Sequence, residues 1–194
     1  MPYFVFAEFG NEEVLGFLRK LRNAFASEVL SPIHVTLRGP YTEPPSLNDL
    51  EAMAARLPGY GVKIQGAGAF STPKGFAVFL RAECTVFPQL WDKPDYKVPL
   101  ARIEPHITMF ESDDRVAAIQ VRDFLKKQDI LIHTYSVHLS LYESRSQQLA
   151  LFELPKAVPG GRAIARDLWR MPPDILDRAA ELGERLRLRT SSAG

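Results

Sequence analysis

The order strand, helix, hairpin runs through this chain twice at a constant spacing, and this internal repeat limits the fold more than any other feature. The first unit opens with the aromatic and β-branched run Tyr3 to Phe9. Asn11, followed by Glu12 and Glu13, then reads as the start of a helix with Val14, Leu18, Leu21 and Phe25 on one face. Ile33 to Leu37 alternates as a strand. Ser46 with Asp49 resembles a capping box opening a helix that carries Leu47, Leu50, Met53 and Leu57 and stops near Pro58-Gly59. Val62 to Phe70 and Gly75 to Arg81 are strand-like runs joined by the turn composition Ser71-Thr72-Pro73-Lys74. The second unit has a strand over 103–110, a helix from Asp113 carrying Ala117, Val121, Phe124 and Leu125, and a hairpin from Tyr135 to Leu154. A displacement of 72 residues carries His34 to His106, Thr36 to Thr108, Phe70 to Tyr142 and Phe79 to Leu151 without a gap.

This pattern predicts an α+β chain with a two-lobed domain over 1–160 and a helical extension over 161–194. The lobes are expected to meet near 87–99, where Pro88, Pro94 and Pro99 mark a connector. In the extension, Pro173 stands at a first helical position ahead of an apolar stripe of Ile175, Leu176, Ala179, Leu182 and Leu186. A length of 194 residues suffices for one real core. The formal net charge of +1 offers no field for holding long duplex nucleic acid. Cys84 is the single cysteine and has no intramolecular partner, which fits a reducing compartment. No apolar run reaches membrane-span length, and the amino end lacks the basic start of a signal peptide, so a cytoplasmic monomer is expected, away from membranes.

On a strand, residues two apart share a face, so His34, Thr36 and Arg38 are expected to point together, as are His106, Thr108 and Phe110. Each motif then sets an imidazole beside a hydroxyl. If the halves pack about an approximate twofold axis, both pairs face one cleft. Two such imidazoles suit in-line cleavage of a phosphodiester, one as base on the attacking oxygen and one as acid on the leaving oxygen, in an order the sequence leaves open. Thr36, Thr108 and Arg38 are candidates to bind the phosphate oxygens, and Phe6, Phe110 and Tyr142 to offer a face to a base. This chemistry calls for neither metal nor cofactor.

The residues Tyr3-Phe4-Val5-Phe6-Ala7, His34-Val35-Thr36-Leu37 and Pro105-His106-Ile107-Thr108-Met109 resemble the 2H phosphoesterase superfamily, which includes RNA 2′,5′-ligase-like proteins and cyclic phosphodiesterases. The resemblance covers roughly residues 3 to 155. It implies a bilobal, duplicated fold of two mostly antiparallel sheets, with helices outside and both motifs facing a central cleft. It also implies metal-independent hydrolysis of 2′,3′-cyclic or 2′,5′-linked nucleotide or RNA-end phosphodiesters. Arg38-Gly39-Pro40 and the tail from Ala163 depart from the family pattern.

Three alternatives stand beside this reading. His138-Leu139-Ser140 is a rival motif, although the repeat sets it against Gly66. A module that binds RNA ends or nucleotides without catalysis would use the same residues. A metal-dependent hydrolase would need carboxylates at a recurrent spacing beside the histidines, and none stands there. His133 reads as structural, and Arg178, Arg185, Arg187 and Arg189, interspersed with Glu181 and Glu184, read as a solvated helix face.

Overall fold

A computed structural model describes residues 2–25, 29, 31–91, 104–143 and 167–191. It is α+β, with two antiparallel sheets. β1 (Tyr3–Phe9) is the middle strand of the first sheet, between β2 (His34–Tyr41) and β7 (Val137–Glu143). The second sheet has the order β5 (His106–Ser112), β4 (Gly75–Glu83), β3 (Val62–Thr72), β6 (Leu131–Thr134), β8 (Leu168–Arg170). Each sheet takes strands from both sides of the 87–99 segment, most of which lies outside the described residues. At its start the chain makes a single helical turn, α3 (Phe87–Leu90), with Phe87 and Leu90 fully buried.

The helices begin where their capping residues direct. The Asn11 side chain accepts from the backbone N–H groups of Glu13 and Val14 at 3.0 and 3.1 Å and opens α1 (Glu12–Ala24). Val14, Leu18 and Leu21 of α1 are buried with Phe25, on the face the periodicity predicts. Ser46 accepts from Asp49 N–H at the start of α2 (Leu47–Ala54), and Asp114 from Val116 N–H at the start of α4 (Arg115–Lys127). The β3–β4 hairpin forms as predicted, turning through Pro73-Lys74. Only Tyr135 and Ser136 separate β6 from β7, yet these strands enter different sheets. The return strand expected up to Leu154, and Leu151 with it, lies outside the described residues.

The carboxyl-terminal segment contributes to the core. β8, a strand that the helical stripe did not announce, pairs with β6. The Asp167 carboxylate accepts from Asn11 Nδ2 at 2.6 Å, Thr134 Oγ1 at 2.7 Å and Tyr135 N–H at 2.9 Å, tying this segment to the cap of α1 and to the β6–β7 turn. α5 (Ile175–Ser191) then buries Ile175, Ala179, Leu182 and Leu186, each large aliphatic side chain contributing roughly 1.5–3 kcal/mol. Gly183 lets α5 lie close to α1, since a β-carbon there would stand 1.9 Å from the Ala24 carbonyl oxygen. No helix among the described residues is long and apolar enough to cross a membrane.

Candidate functional site

His34 and His106 head β2 and β5, which are edge strands of the two sheets and pack against one another. Their partner strands repeat the same register. Across β1–β2, Glu8 opposes His34, Ala7 opposes Val35, Phe6 opposes Thr36, and Val5 opposes Arg38. Across β4–β5, Arg81 opposes His106, Leu80 opposes Ile107, Phe79 opposes Thr108, and Val78 opposes Phe110. Both ladders skip one residue at the same place, Leu37 in β2 and Met109 in β5. The third strands agree as well: β7 sets Ser140 opposite Phe6 and Tyr142 opposite Phe4, while β3 sets Gly68 opposite Phe79 and Phe70 opposite Ala77.

Directly opposed residues in an antiparallel ladder project to one face. His34 and Thr36 therefore share a face with Phe6, Glu8, His138, Ser140 and Tyr142, and His106 and Thr108 share one with Phe79, Arg81, Gly68 and Phe70. Val35, Leu37, Ile107 and Met109 alternate with the motif residues and are fully buried on the opposite faces. The skipped residues are β-bulges, and a bulge breaks strict alternation. Here two expected site residues are displaced. Arg38 shares the face of Val5, and its Nε donates to the Leu90 carbonyl. Phe110 shares the face of Val78 and is buried in the core. Neither lies beside its motif histidine, because alternation continued past the threonine only on paper.

Each imidazole is oriented from two residues upstream. His34 Nδ1 stands 2.8 Å from the Pro32 carbonyl oxygen, and His106 Nδ1 stands 2.7 Å from that of Glu104. A carbonyl only accepts, so in each neutral ring Nδ1 carries the hydrogen and Nε2 keeps its lone pair. The Thr36 hydroxyl, 3.2 Å away, can donate to His34 Nε2. Among the described residues, no protein hydrogen bond engages His106 Nε2.

Aromatic rings back both histidines. Phe6, itself 4 % exposed, lies 3.6 Å from His34 between ring centroids, nearly parallel, and Tyr142 also stacks on Phe6 at 4.9 Å. Phe79 lies 4.7 Å from His106 at a tilt of 44°, and Phe70 meets that imidazole edge-on at 5.2 Å. Phe6 thus supports the imidazole more than it offers a free face, whereas Tyr142 is partly exposed and Phe70 is 42 % exposed. Phe70 and Phe79 stood in the sequence only as repeat positions and Arg81 only as a strand end, and Glu8 carried no signal; none was a candidate for the site. The strand beginning at Tyr3 was legible, but its pairing with His34 was not.

Burial is the largest influence on both imidazoles and lowers both pKa values. For His34 it outweighs the Pro32 carbonyl and the Glu8 carboxylate, which favour the proton. Arg22 and His106 add to the depression, which reaches about 4. The Arg22 guanidinium donates to the same Pro32 carbonyl, at 3.3 Å. For His106, burial outweighs the Glu104 carbonyl and carboxylate. Burial also works to raise the Glu8 carboxyl. It is outweighed by His138, whose Nε2 stands 3.6 Å from Oε2, by the Ser140 hydroxyl at 2.9 Å from Oε1, and by His34, so Glu8 sits below its ordinary value.

His138, the rival motif, lies on the His34 face with Glu8 between them in the strand order. It has no histidine counterpart in the other sheet, where Gly66 stands at the repeat position. His133 faces Tyr135 at 4.8 Å and covers Gly61, as a structural histidine would. Among the described residues, no group of three His, Cys, Asp or Glu side chains is placed to hold a metal. The open depressions lined by Arg56, Tyr60 and Gln89, and by Pro40 and Tyr41, include neither motif histidine. No protein-family model matches the chain, and comparison with curated proteins and with solved structures finds no match either.

Proposed function

We propose that this protein is a 2H-type phosphoesterase that hydrolyses 2′,3′-cyclic or 2′,5′-linked nucleotide or RNA-end phosphodiesters without a metal, using His34 and His106 as its acid-base pair. One observation carries this reading. The same constellation, a histidine tethered through Nδ1, a threonine two residues on and an aromatic ring opposite that threonine, is built twice on edge strands that pack together. Duplicated units facing one central cleft would account for this, and two Nε2 atoms directed at one phosphate would supply base and acid.

In the reaction an oxygen–phosphorus bond forms from water and the bond to one ribose oxygen breaks. The water proton passes to one imidazole, and the other protonates the departing oxygen. Thr36 and Thr108 bind nonbridging oxygens, and Tyr142 is placed to meet a base or sugar. Glu8, opposite His34, favours a proton on that ring, and Glu104 favours one on His106. The protein would act as a cytoplasmic monomer on a small nucleotide or an RNA end.

The test uses purified, folded protein in the presence of a chelator. Turnover of 2′,3′-cyclic nucleotides or 2′,5′-linked oligonucleotides is expected, with His34→Ala and His106→Ala each lowering kcat by roughly a hundredfold to ten-thousandfold. Tight nucleotide binding without product, unaffected by His106→Ala, would identify a binding module. Activity that vanishes with chelator and returns with a divalent ion would overturn the metal-independent mechanism.

A further inference from the structure

The two histidine environments match in register but differ in one backbone-proximal atom. Gly68 and Ser140 occupy equivalent places, opposite Phe79 and Phe6. The Phe79 ring lies across Gly68 so closely that a β-carbon there would stand 2.4 Å from Cζ and 2.8 Å from Cε2. Ser140, opposite Phe6, possesses that β-carbon, and Phe6 is stacked on His34 at 3.6 Å. Relieved of that constraint, Phe79 leans back and leaves His106 at 4.7 Å and tilted.

We propose that Phe6 and Phe79 are positioning residues, set differently by Ser140 and Gly68, and that this difference makes His34 the general base and His106 the general acid. The assignment rests on the phosphoesterase reading. The stacked His34 ring is stripped of water on one face, and its Nε2 lone pair accepts from Thr36, an interaction only the unprotonated ring can make. The His106 ring is less tightly covered, and its Nε2 is unengaged by protein among the described residues. The charged groups around them agree. Arg22 and His106 oppose a proton on His34, and the Glu8 carboxylate opposite it divides itself among His138, Ser140 and His34. Glu104 favours a proton on His106, while Arg81, opposite that ring, is paired with Glu104. In turnover His34 takes the proton of the attacking water, and His106 gives its proton to the departing ribose oxygen. Solvent then restores both.

The experiment follows each imidazole by NMR in Gly68→Ala and Ser140→Gly proteins, alongside the pH dependence of kcat/KM. In Gly68→Ala, displaced Phe79 should press onto His106, so the His106 midpoint falls and the alkaline limb of the rate profile moves to lower pH, while the acid limb stays. In Ser140→Gly, Phe6 is released and the His34 midpoint should rise, carrying the acid limb with it. Should Gly68→Ala fail to fold, Ser140→Gly decides alone. Unmoved midpoints in folded variants overturn the assignment, as does movement of the limb belonging to the other histidine. If the midpoints move as expected in a protein that turns over no phosphodiester, the positioning by Phe6 and Phe79 stands and the phosphoesterase reading fails.

Discussion

Acidification should destabilise this protein through His34 by an amount its surroundings set. In the folded chain the imidazole gains its proton only near pH 4, against 6.5 for an unperturbed histidine. Between those values the unfolded chain holds more protons than the folded one. Stability contributed by the neutral ring is therefore complete above pH 6.5, declines as pH falls, and is exhausted below about 4. A difference of about 2.5 units at about 1.36 kcal/mol each makes roughly 3 kcal/mol. This is a large share of the roughly 5–15 kcal/mol that holds a domain folded. The measurement is urea unfolding of the natural protein and His34→Gln, compared at intervals from pH 7.5 to 4. Gln cannot titrate, while His106 and Glu8 act in both proteins and largely cancel. The natural protein should lose about 3 kcal/mol relative to the variant across that window. Two curves descending in parallel would show that burial against Phe6 and the Thr36 contact do not hold the ring neutral.

Other perturbations have equally definite outcomes. Glu8→Gln removes a carboxylate that favours a proton on His34, so the His34 midpoint in an NMR titration should fall further. Asp167→Ala leaves Asn11, Thr134 and the Tyr135 N–H without their shared acceptor, and should cost about 3 kcal/mol or more in chemical unfolding. Leu182→Ala opens a cavity between α5 and the core. A loss of about 2–5 kcal/mol is expected, whereas Leu188→Ala, at a side chain 65 % exposed, should fall within about 0.5 kcal/mol of neutral. Arg38→Ala should change the binding of a phosphate-bearing ligand little, because its guanidinium is directed to the Leu90 carbonyl; a tenfold loss would return Arg38 to the site.

Much was legible in the chain alone because it depends on neighbours in sequence. Asn11 and Ser46 cap helices through groups two or three residues away. His34 and His106 alternate with fully buried residues, and strand periodicity needs no partner strand to be seen. The 72-residue displacement likewise carried Thr36 to Thr108 and Phe70 to Tyr142. Pairing belongs to tertiary structure, because a strand's partner is selected by burial and hydrogen bonding across long separations. Only the fold decided that β1 lies against β2 and β7 while β4 lies against β5 and β3. That choice brings Glu8 and Phe6 to His34, and Arg81 and Phe79 to His106. It also decided where a residue is skipped. A bulge exists only relative to the strand opposite, so no reading of Leu37 or Met109 in isolation could have moved Arg38 and Phe110 to the other face. The sequence by itself determined which side chains the chemistry has to work with; tertiary pairing determined which of them stand beside the two histidines.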